Sequence, residues 1–382
     1  MSIRPTVALV DLTAIADNFR LAVEIGGKPA IGVVKADAYG HGAVRVARAL
    51  VEAGAPLLAV ALVEEGLQLR EAGIESPILV LGAAYANGYQ LIVQHRLTPL
   101  LFRPDHVAHL AAAARAAGTR AKAHLKLDTG MGRIGISPTE LFPFVEALRN
   151  APEVELEGLC THFASADLEP REKTERQVHT FNTVSQELSR AGFSPRIHHL
   201  ANSAGTLEFP FARQDVTRPG IMIFGYLPFQ RDARLGAATQ QAARRLRPAL
   251  SWRSAIVHVK TVAPGTPISY GGFWVAQRTS RIATVPVGYA DGYGRRLSGR
   301  PDLGRADVLV RGRRVPVAGT ICMDMTMVDV TDVPGAAVDD EVVLLGEQGN
   351  ERIGADELAE RQGTISYEIL CAIGKRVPRI YR

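Results

Sequence analysis

Residues 30–42 read Ala30-Ile-Gly-Val-Val-Lys35-Ala-Asp-Ala-Tyr39-Gly-His-Gly42. A short apolar run of strand length closes on a lysine, and a turn carrying two glycines follows it. Helical apolar spacing takes over across residues 43–53, and another apolar run comes at 57–61. That is one strand-helix-strand unit, and the pattern repeats. Strand-length runs lie at 30–35, 57–61, 78–81, 98–101, 123–128, 155–161, 197–200 and 215–218, with helical spacing at 105–117 and 172–191. Eight strands alternating with helices over about 200–250 residues predict a (β/α)8 barrel of the TIM type. A doubly wound open sheet is the alternative, but no glycine fingerprint opens a first helix.

Beyond Gly236 the texture changes. Residues 237–247 are rich in Ala, Gln and Arg and read as a connector. Apolar runs at 252–262, 281–287, 308–317 and 327–330 follow, bounded by glycine and proline, and Val310-Arg-Gly-Arg-Arg-Val315 reads as a hairpin tip. Short helical patterns lie near 355–362 and 367–372. The expectation is a barrel over residues 1–236 and a mostly β C-terminal domain over 237–382.

Composition narrows the class of partner. The chain has 382 residues, 47% hydrophobic and 22% charged, enough to bury a large core. No apolar run approaches the ~18–20 residues of a membrane span. The N-terminus lacks the apolar stretch and small-residue cleavage site of a secretory signal. Three scattered cysteines without a CxxC pair argue against a disulfide framework and against zinc. These features predict a cytoplasmic protein with no metal. The net charge of +5 is the excess of 44 basic over 39 acidic residues, the basic ones are spread along the whole chain, and aromatics make up only 6%. A nucleic-acid face needs clustered charge with interleaved aromatics, so that class is disfavoured.

In a barrel, chemistry gathers at the C-terminal ends of the strands. Lys35 is placed there. Burial disfavours an ammonium, and a neutral lysine amine is what forms a Schiff base with a carbonyl. Position alone favours a lysine reaching into solvent; Tyr39 and the Gly40-His41-Gly42 turn tilt the reading toward chemistry. Barrels often build a phosphate site from the loops after strands seven and eight. Here those loops are Leu200-Ala-Asn-Ser-Ala-Gly205 and Arg218-Pro-Gly-Ile-Met-Ile-Phe-Gly225. Ser203 offers a hydroxyl, and Gly220 and Ile221 offer backbone N–H groups. A Schiff-base lysine together with a phosphate site points to pyridoxal 5'-phosphate.

The motifs taken together resemble the alanine racemase family. Val34-Lys35-Ala-Asp-Ala-Tyr39-Gly-His-Gly42 looks like that family's cofactor signature. Lys126-Leu-Asp-Thr-Gly-Met-Gly-Arg133, Thr161-His-Phe163, Ala201-Asn-Ser203, Arg218-Pro-Gly220, Ile268-Ser-Tyr-Gly271, Val287-Gly-Tyr-Ala-Asp291, Cys322-Met-Asp324 and Ser366-Tyr-Glu368 look like its other motifs, in order along nearly the whole chain. The resemblance implies a barrel, a β domain and a head-to-tail homodimer acting on alanine, supplying D-alanine for peptidoglycan.

It also implies residue roles. Lys35 would carry the cofactor and exchange the D-alanine proton, while Tyr270, from the partner subunit, would exchange the L-alanine proton. Racemisation needs two such groups on opposite faces of a planar centre. A free tyrosine, with a pKa of about 10, is a poor base unless positive charge lies near. Arg218 and His162 would supply that linkage. An arginine facing the cofactor ring nitrogen only donates, which would keep that nitrogen neutral. Arg133 and the N–H of Met323 would hold the substrate carboxylate. Lys126 stands where several members carry a carbamylated lysine. Tyr289 and Tyr367 would line a narrow entry, with Tyr367 also near the phosphate, as Tyr39 would be.

Departures from the family pattern are small. Phe224 stands where many relatives have tyrosine, and the Gly319-Thr-Ile-Cys322 approach varies. The alternatives are a broad-specificity amino-acid racemase and a barrel-fold pyridoxal-phosphate decarboxylase. Arg218 counts against the decarboxylases, which place a carboxylate at the ring nitrogen. A non-catalytic pyridoxal phosphate carrier would lack the C-terminal domain.

Overall fold

The computed structural model describes residues 3–85, 87–229, 235–300, 303 and 305–382. The chain forms two compact units. One runs from the chain start to Leu12, with Tyr39–Gly42 and Pro248–Arg382; the other comprises Thr13–Ala38 and Ala43–Arg247.

The first strand, β1 (Val7–Val10), belongs to the sheet of the unit that holds the C-terminus. The larger unit is built on seven parallel strands in sequence order: β2 (Gly32–Val33), β3 (Leu58–Val60), β4 (Ile78–Val80), β5 (Leu97–Leu101), β6 (Ala121–Lys126), β7 (Val154–Cys160) and β8 (Ile197–His199). β3, β4 and β5 are buried at every position. Strands covered on both faces read as continuous apolar runs, which is how they show in the sequence.

The eighth predicted strand, at 215–218, is a single bridge. Thr217 pairs with Ala30 in parallel. Its carbonyl accepts from Ile31 N at 2.8 Å and its N–H donates to Pro29 O at 3.0 Å. On the other side Asp215 N donates to His198 O at 3.1 Å. This segment therefore joins β8 to β2 and closes the ring. It extends no further because Pro219 has no N–H to donate.

The predicted helices at 43–53, 105–117 and 172–191 are found at Ala43–Glu52, Pro104–Ala116 and Glu172–Arg190. Ala22, Leu207, Met222 and Ala242 form a core cluster of this unit, with Ile25, Leu227, Phe229 and Leu246 packed against it.

The other unit is mostly β. Its main sheet runs β15 (Arg313–Pro316), β14 (Asp307–Val310), β17 (Glu341–Gln348), β9 (Leu250–Ala255), β1 and β19 (Arg379–Tyr381), with β18 (Glu351–Ile353) paired to β17. A three-stranded sheet holds β10 (His258–Val262), β13 (Ser280–Val285) and β16 (Thr326–Asp329), and β11 (Pro267–Ile268) pairs with β12 (Trp274–Val275). The predicted hairpin tip is the β14–β15 turn, where Arg311 and Gly312 both have positive φ, 51° and 74°. The two predicted helices are Ala355–Gln362 and Ser366–Ala372. The architecture is an α/β barrel and a mostly β C-terminal domain. Among the described residues no helix is long and apolar enough to cross a membrane.

Candidate active site

Lys35 sits two residues past β2, half-buried, and opens a turn of unusual hand. Ala36, Asp37, Ala38 and Tyr39 have φ of 52°, 51°, 52° and 53°, followed by Gly40 at 80°. Four consecutive L-residues in the left-handed region cost roughly 1–2 kcal/mol each, so the surroundings must impose it. Glu65 does part of this. Its Oε1 accepts from Ala36 N at 2.6 Å, and its Oε2 accepts from Ala61 N at 2.7 Å and Leu62 N at 3.1 Å. Asp37 Oδ1 accepts from Ala43 N at 2.7 Å and closes the far end. A Cβ on Gly40 would lie 2.3 Å from Leu370 O, so only glycine fits there. Strain held by several partners clusters at functional sites.

The loop after β6 brings Arg133 out. Asp128 Oδ1 accepts from the N–H groups of Gly130, Met131 and Gly132 at 3.0, 2.9 and 3.1 Å, folding the loop on itself. Arg133 is exposed at its end, and Lys126 is buried at the strand terminus. Burial pulls the Lys126 amine down to about 8; Cys160 opposes this, and Arg218 and Arg133 add to it. Such an amine is partly neutral near physiological pH.

Arg218 is buried and is held from several sides. Its Nη1 donates to His199 O at 2.6 Å and to His199 Nδ1 at 2.6 Å. Its Nη2 donates to Thr161 O at 2.7 Å and Leu200 O at 3.1 Å, and faces His162 Nδ1 at 3.3 Å. Among the described residues every one of these bonds uses Nη1 or Nη2, which leaves the Nε–H as the donor for a ligand. His162 and His199 are both driven well below the usual imidazole range, by burial first and by Arg218 next. Both are neutral, so each offers a lone pair to the guanidinium.

The two predicted phosphate loops meet. Ser203 Oγ accepts from Gly220 N at 2.9 Å and, weakly, from Met222 N at 3.5 Å. Asn202 caps the Ser203–Glu208 helix by accepting from Gly205 N at 2.9 Å. Ile221 is fully buried, and among the described residues nothing accepts its N–H. An unpaired buried N–H beside a hydroxyl is a cradle that fits a phosphate. With Lys35 at a strand end and Arg218 Nε–H unused, the donor set fits pyridoxal phosphate.

In the other unit, Tyr39 is buried and its ring centroid lies 5.9 Å from that of Tyr367. Burial pushes the Tyr39 phenol up, so it stays a hydrogen-bond donor. Tyr270 opens a short turn in which Ser269 and Gly271 have positive φ, 66° and 77°, and Thr320 Oγ1 donates to its carbonyl at 3.0 Å. Its side chain is 70% exposed. Tyr289 N donates to Cys322 O at 3.1 Å and Ala290 N to Met323 O at 3.0 Å, which ties the two loops together. Among the described residues nothing accepts the Met323 N–H.

Two family models divide the sequence between them. "Alanine racemase, N-terminal domain" matches residues 10–228, and "Alanine racemase, C-terminal domain" matches residues 249–381. The chain belongs to the alanine racemase family. Alanine racemases from Halothermothrix orenii and Symbiobacterium thermophilum are 45% and 46% identical to it, each match spanning 99% of this chain and 97% of the relative. Among solved structures, the alanine racemase of D-cycloserine-producing Streptomyces lavendulae superposes with a TM-score of 0.92 at 35% identity, over 100% of this chain and 98% of that one. An alanine racemase of Bacillus anthracis with bound L-Ala-P gives 0.90 at 38% identity, over 100% and 96%.

Sequence reasoning missed three contributors. The left-handed turn leaves no mark in apolar spacing. Glu65 acts from another strand-helix unit. His124 and Glu157, which reach Arg218 through His199, lie inside strands β6 and β7. Their signal was a polar residue at an alternate position of an otherwise buried strand.

Proposed function

We propose that this chain interconverts L-alanine and D-alanine with pyridoxal 5'-phosphate, as a cytoplasmic head-to-tail homodimer that supplies D-alanine for peptidoglycan. In this reading most of residues 1–236, β1 excepted, form the cofactor-binding barrel, and most of 237–382 the domain that contributes the second base. The observation that carries it is Arg218, a buried guanidinium with both terminal amino groups taken and one donor left over.

When bound, the cofactor ring supplies the electron sink that allows substrate Cα to lose its proton. Arg218 would meet the ring nitrogen as a donor that cannot surrender its proton, which would keep that nitrogen neutral. A weaker sink favours quick return of the proton over transamination or decarboxylation. Ser203, Gly220, Ile221, Tyr39 and Tyr367 hold the phosphate.

Lys35 Nζ takes and returns the proton on the D face, and Tyr270 Oη of the partner subunit does so on the L face. His162 links Arg218 toward that tyrosine. The exposure of Tyr270 supports its pairing with a second copy. Arg133 and the Met323 N–H hold the substrate carboxylate. A carbamate on Lys126 would replace a cation by an anion able to orient Arg133, and the lowered amine pKa supports it. Tyr289 and Tyr367 narrow the entry to a methyl-sized side chain.

The test is incubation of purified protein with L-alanine, L-serine or L-ornithine in deuterated water, following chirality, Cα label and carbon dioxide. Deuterium at Cα of both alanine enantiomers without carbon dioxide is expected. Rapid serine turnover would make it a broad-specificity racemase, and carbon dioxide from ornithine with alanine untouched would overturn the reading.

A further inference from the structure

Glu157 lies inside β7, away from the loops where barrel chemistry gathers, yet its carboxylate is the end of a hydrogen-bonded chain that leads to Arg218. Its Oε2 lies 3.4 Å from His124 Nε2. His124 Nδ1 lies 2.8 Å from His199 Nε2. His199 Nδ1 lies 2.6 Å from Arg218 Nη1. Both imidazoles are fully buried.

The chemistry of these groups allows one assignment of protons. Arg218 only donates, so His199 Nδ1 carries a lone pair. A neutral His199 then holds its proton on Nε2 and donates it to His124 Nδ1. His124 must in turn hold its proton on Nε2, where the ionised Glu157 is the acceptor. The same result comes from the carboxylate end, since a carboxylate only accepts. Two fixed charges of opposite sign thus favour the same tautomer on both histidines, and Arg218 does not compel it alone, because its Nη1 also has the His199 carbonyl as acceptor.

The backbone is shaped for this. The β6–β7 pairing runs Ala123 with Leu156 and then His124 with Gly158, so Glu157 is the extra residue of a bulge. Bulges in parallel pairs are rare, and they re-aim a side chain. Next to the bulged residue on the same strand, a Cβ on Gly158 would come within 2.4 Å of the His124 ring, so this position must be glycine for the imidazole to lie where it does. Lys122 Nζ at 2.8 Å and Arg196 bind the other carboxylate oxygen of Glu157. The carboxyl is held down to about 2, first by its bond to His124 and against the cost of burial. It is ionised throughout the working range.

We propose that Glu157 is a positioning residue: through the His124–His199 pair it fixes the tautomer that presents a lone pair to Arg218 and so holds the guanidinium in one orientation. This rests on the reading of Arg218 as the group that meets the cofactor ring nitrogen. Without the carboxylate, His124 is free to place its proton on Nδ1. His199 Nε2 then faces a donor, its own proton moves to Nδ1, and Nδ1 turns from acceptor to competitor for Arg218.

The experiment is nitrogen NMR on full-length protein labelled with ¹⁵N-histidine, with and without pyridoxal phosphate. His124 and His199 should both show protonated Nε2 and unprotonated Nδ1. Glu157→Leu should move both toward the other tautomer, while Glu157→Gln, whose amide oxygen still accepts, should keep the wild-type pattern. In a racemase assay, Glu157→Leu should lower kcat by about ten- to a hundredfold, the range for losing an outer partner of a functional histidine, with the alanine KM little changed. Glu157→Gln should restore most of it. Wild-type protein with Nδ1–H on either histidine overturns the proposal whatever the enzyme catalyses, and this needs no variant to fold. Wild-type tautomers in Glu157→Leu would overturn it as well. Absence of racemase activity in the wild type, with the tautomers as stated, would instead sink the reading of the reaction and leave the relay standing.

Discussion

Arg218 Nη1 and His199 Nδ1 stand 2.6 Å apart inside the barrel, a cation donating to a neutral imidazole with both groups buried. A buried cation without an opposite charge in direct contact is costly. Here the cost is met by three backbone carbonyls and two imidazole lone pairs. That arrangement fixes a donor in place, and among the described residues no carboxylate pairs with it to take up or supply a proton.

Arg218→Glu should therefore change the chemistry as well as slow it. A carboxylate facing the ring nitrogen would keep it protonated and strengthen the electron sink. Racemisation should fall by about a hundredfold or more, the scale of losing one preorganised electrostatic contact. Slow conversion of alanine to pyruvate, with the cofactor left in its amine form, should become measurable. Pyruvate assayed over long incubations checks this.

Lys126 makes a prediction about pH. Its amine is held near 8 in the folded protein against the ordinary 10.5, because burial disfavours the ammonium. Between those values the unfolded chain keeps a proton that the folded chain has released, so this residue makes folding more favourable as pH rises from about 8 to 10.5. Below 8 both states are protonated and the penalty is constant. The difference in unfolding free energy between wild type and Lys126→Met, in carbonate-free buffer, should shift by about 3 kcal/mol across that window. In ¹³C-bicarbonate the same neutral amine should give a carbamate signal that grows through pH 8 and is absent from Lys126→Met.

The left-handed turn reverses an ordinary rule. Alanine to glycine in a right-handed helix costs about 1 kcal/mol. Ala36 is exposed and has a φ of 52°, so glycine there removes a Cβ clash. Ala36→Gly should leave stability unchanged or raise it by up to about 1 kcal/mol. The turn should also loosen, with weaker retention of pyridoxal phosphate through gel filtration. A thermal melt and the cofactor absorbance read the two effects separately.

The barrel was legible because parallel strands covered on both faces are written as apolar runs. Residues 57–61, 78–81 and 98–101 could hardly form anything else between helical segments. Lys35 and Arg218 were legible for a related reason: a polar residue closing such a run marks a strand end, and Ser203 was legible from its place in the loop after the seventh run. β1 was not legible as part of the C-terminal sheet. Its partners, β9 and β19, lie about 240 and 370 residues further on, and nothing local encodes that pairing. β17 was missed although Glu341–Gln348 is the longest strand of its unit. The bulge that isolates Glu157 is a property of register between two strands, so no single-strand pattern contains it.

The proposed mechanism has Lys35 and Tyr270 act as separate proton carriers on opposite faces of alanine. The most direct measurement follows Cα deuteration and chirality together, starting from D-alanine or L-alanine in deuterated water, with wild type and Tyr270→Phe. Tyr270→Phe should bind cofactor and still exchange the D-alanine Cα proton through Lys35, while conversion between enantiomers collapses in both directions. Racemisation by Tyr270→Phe at the wild-type rate would contradict it.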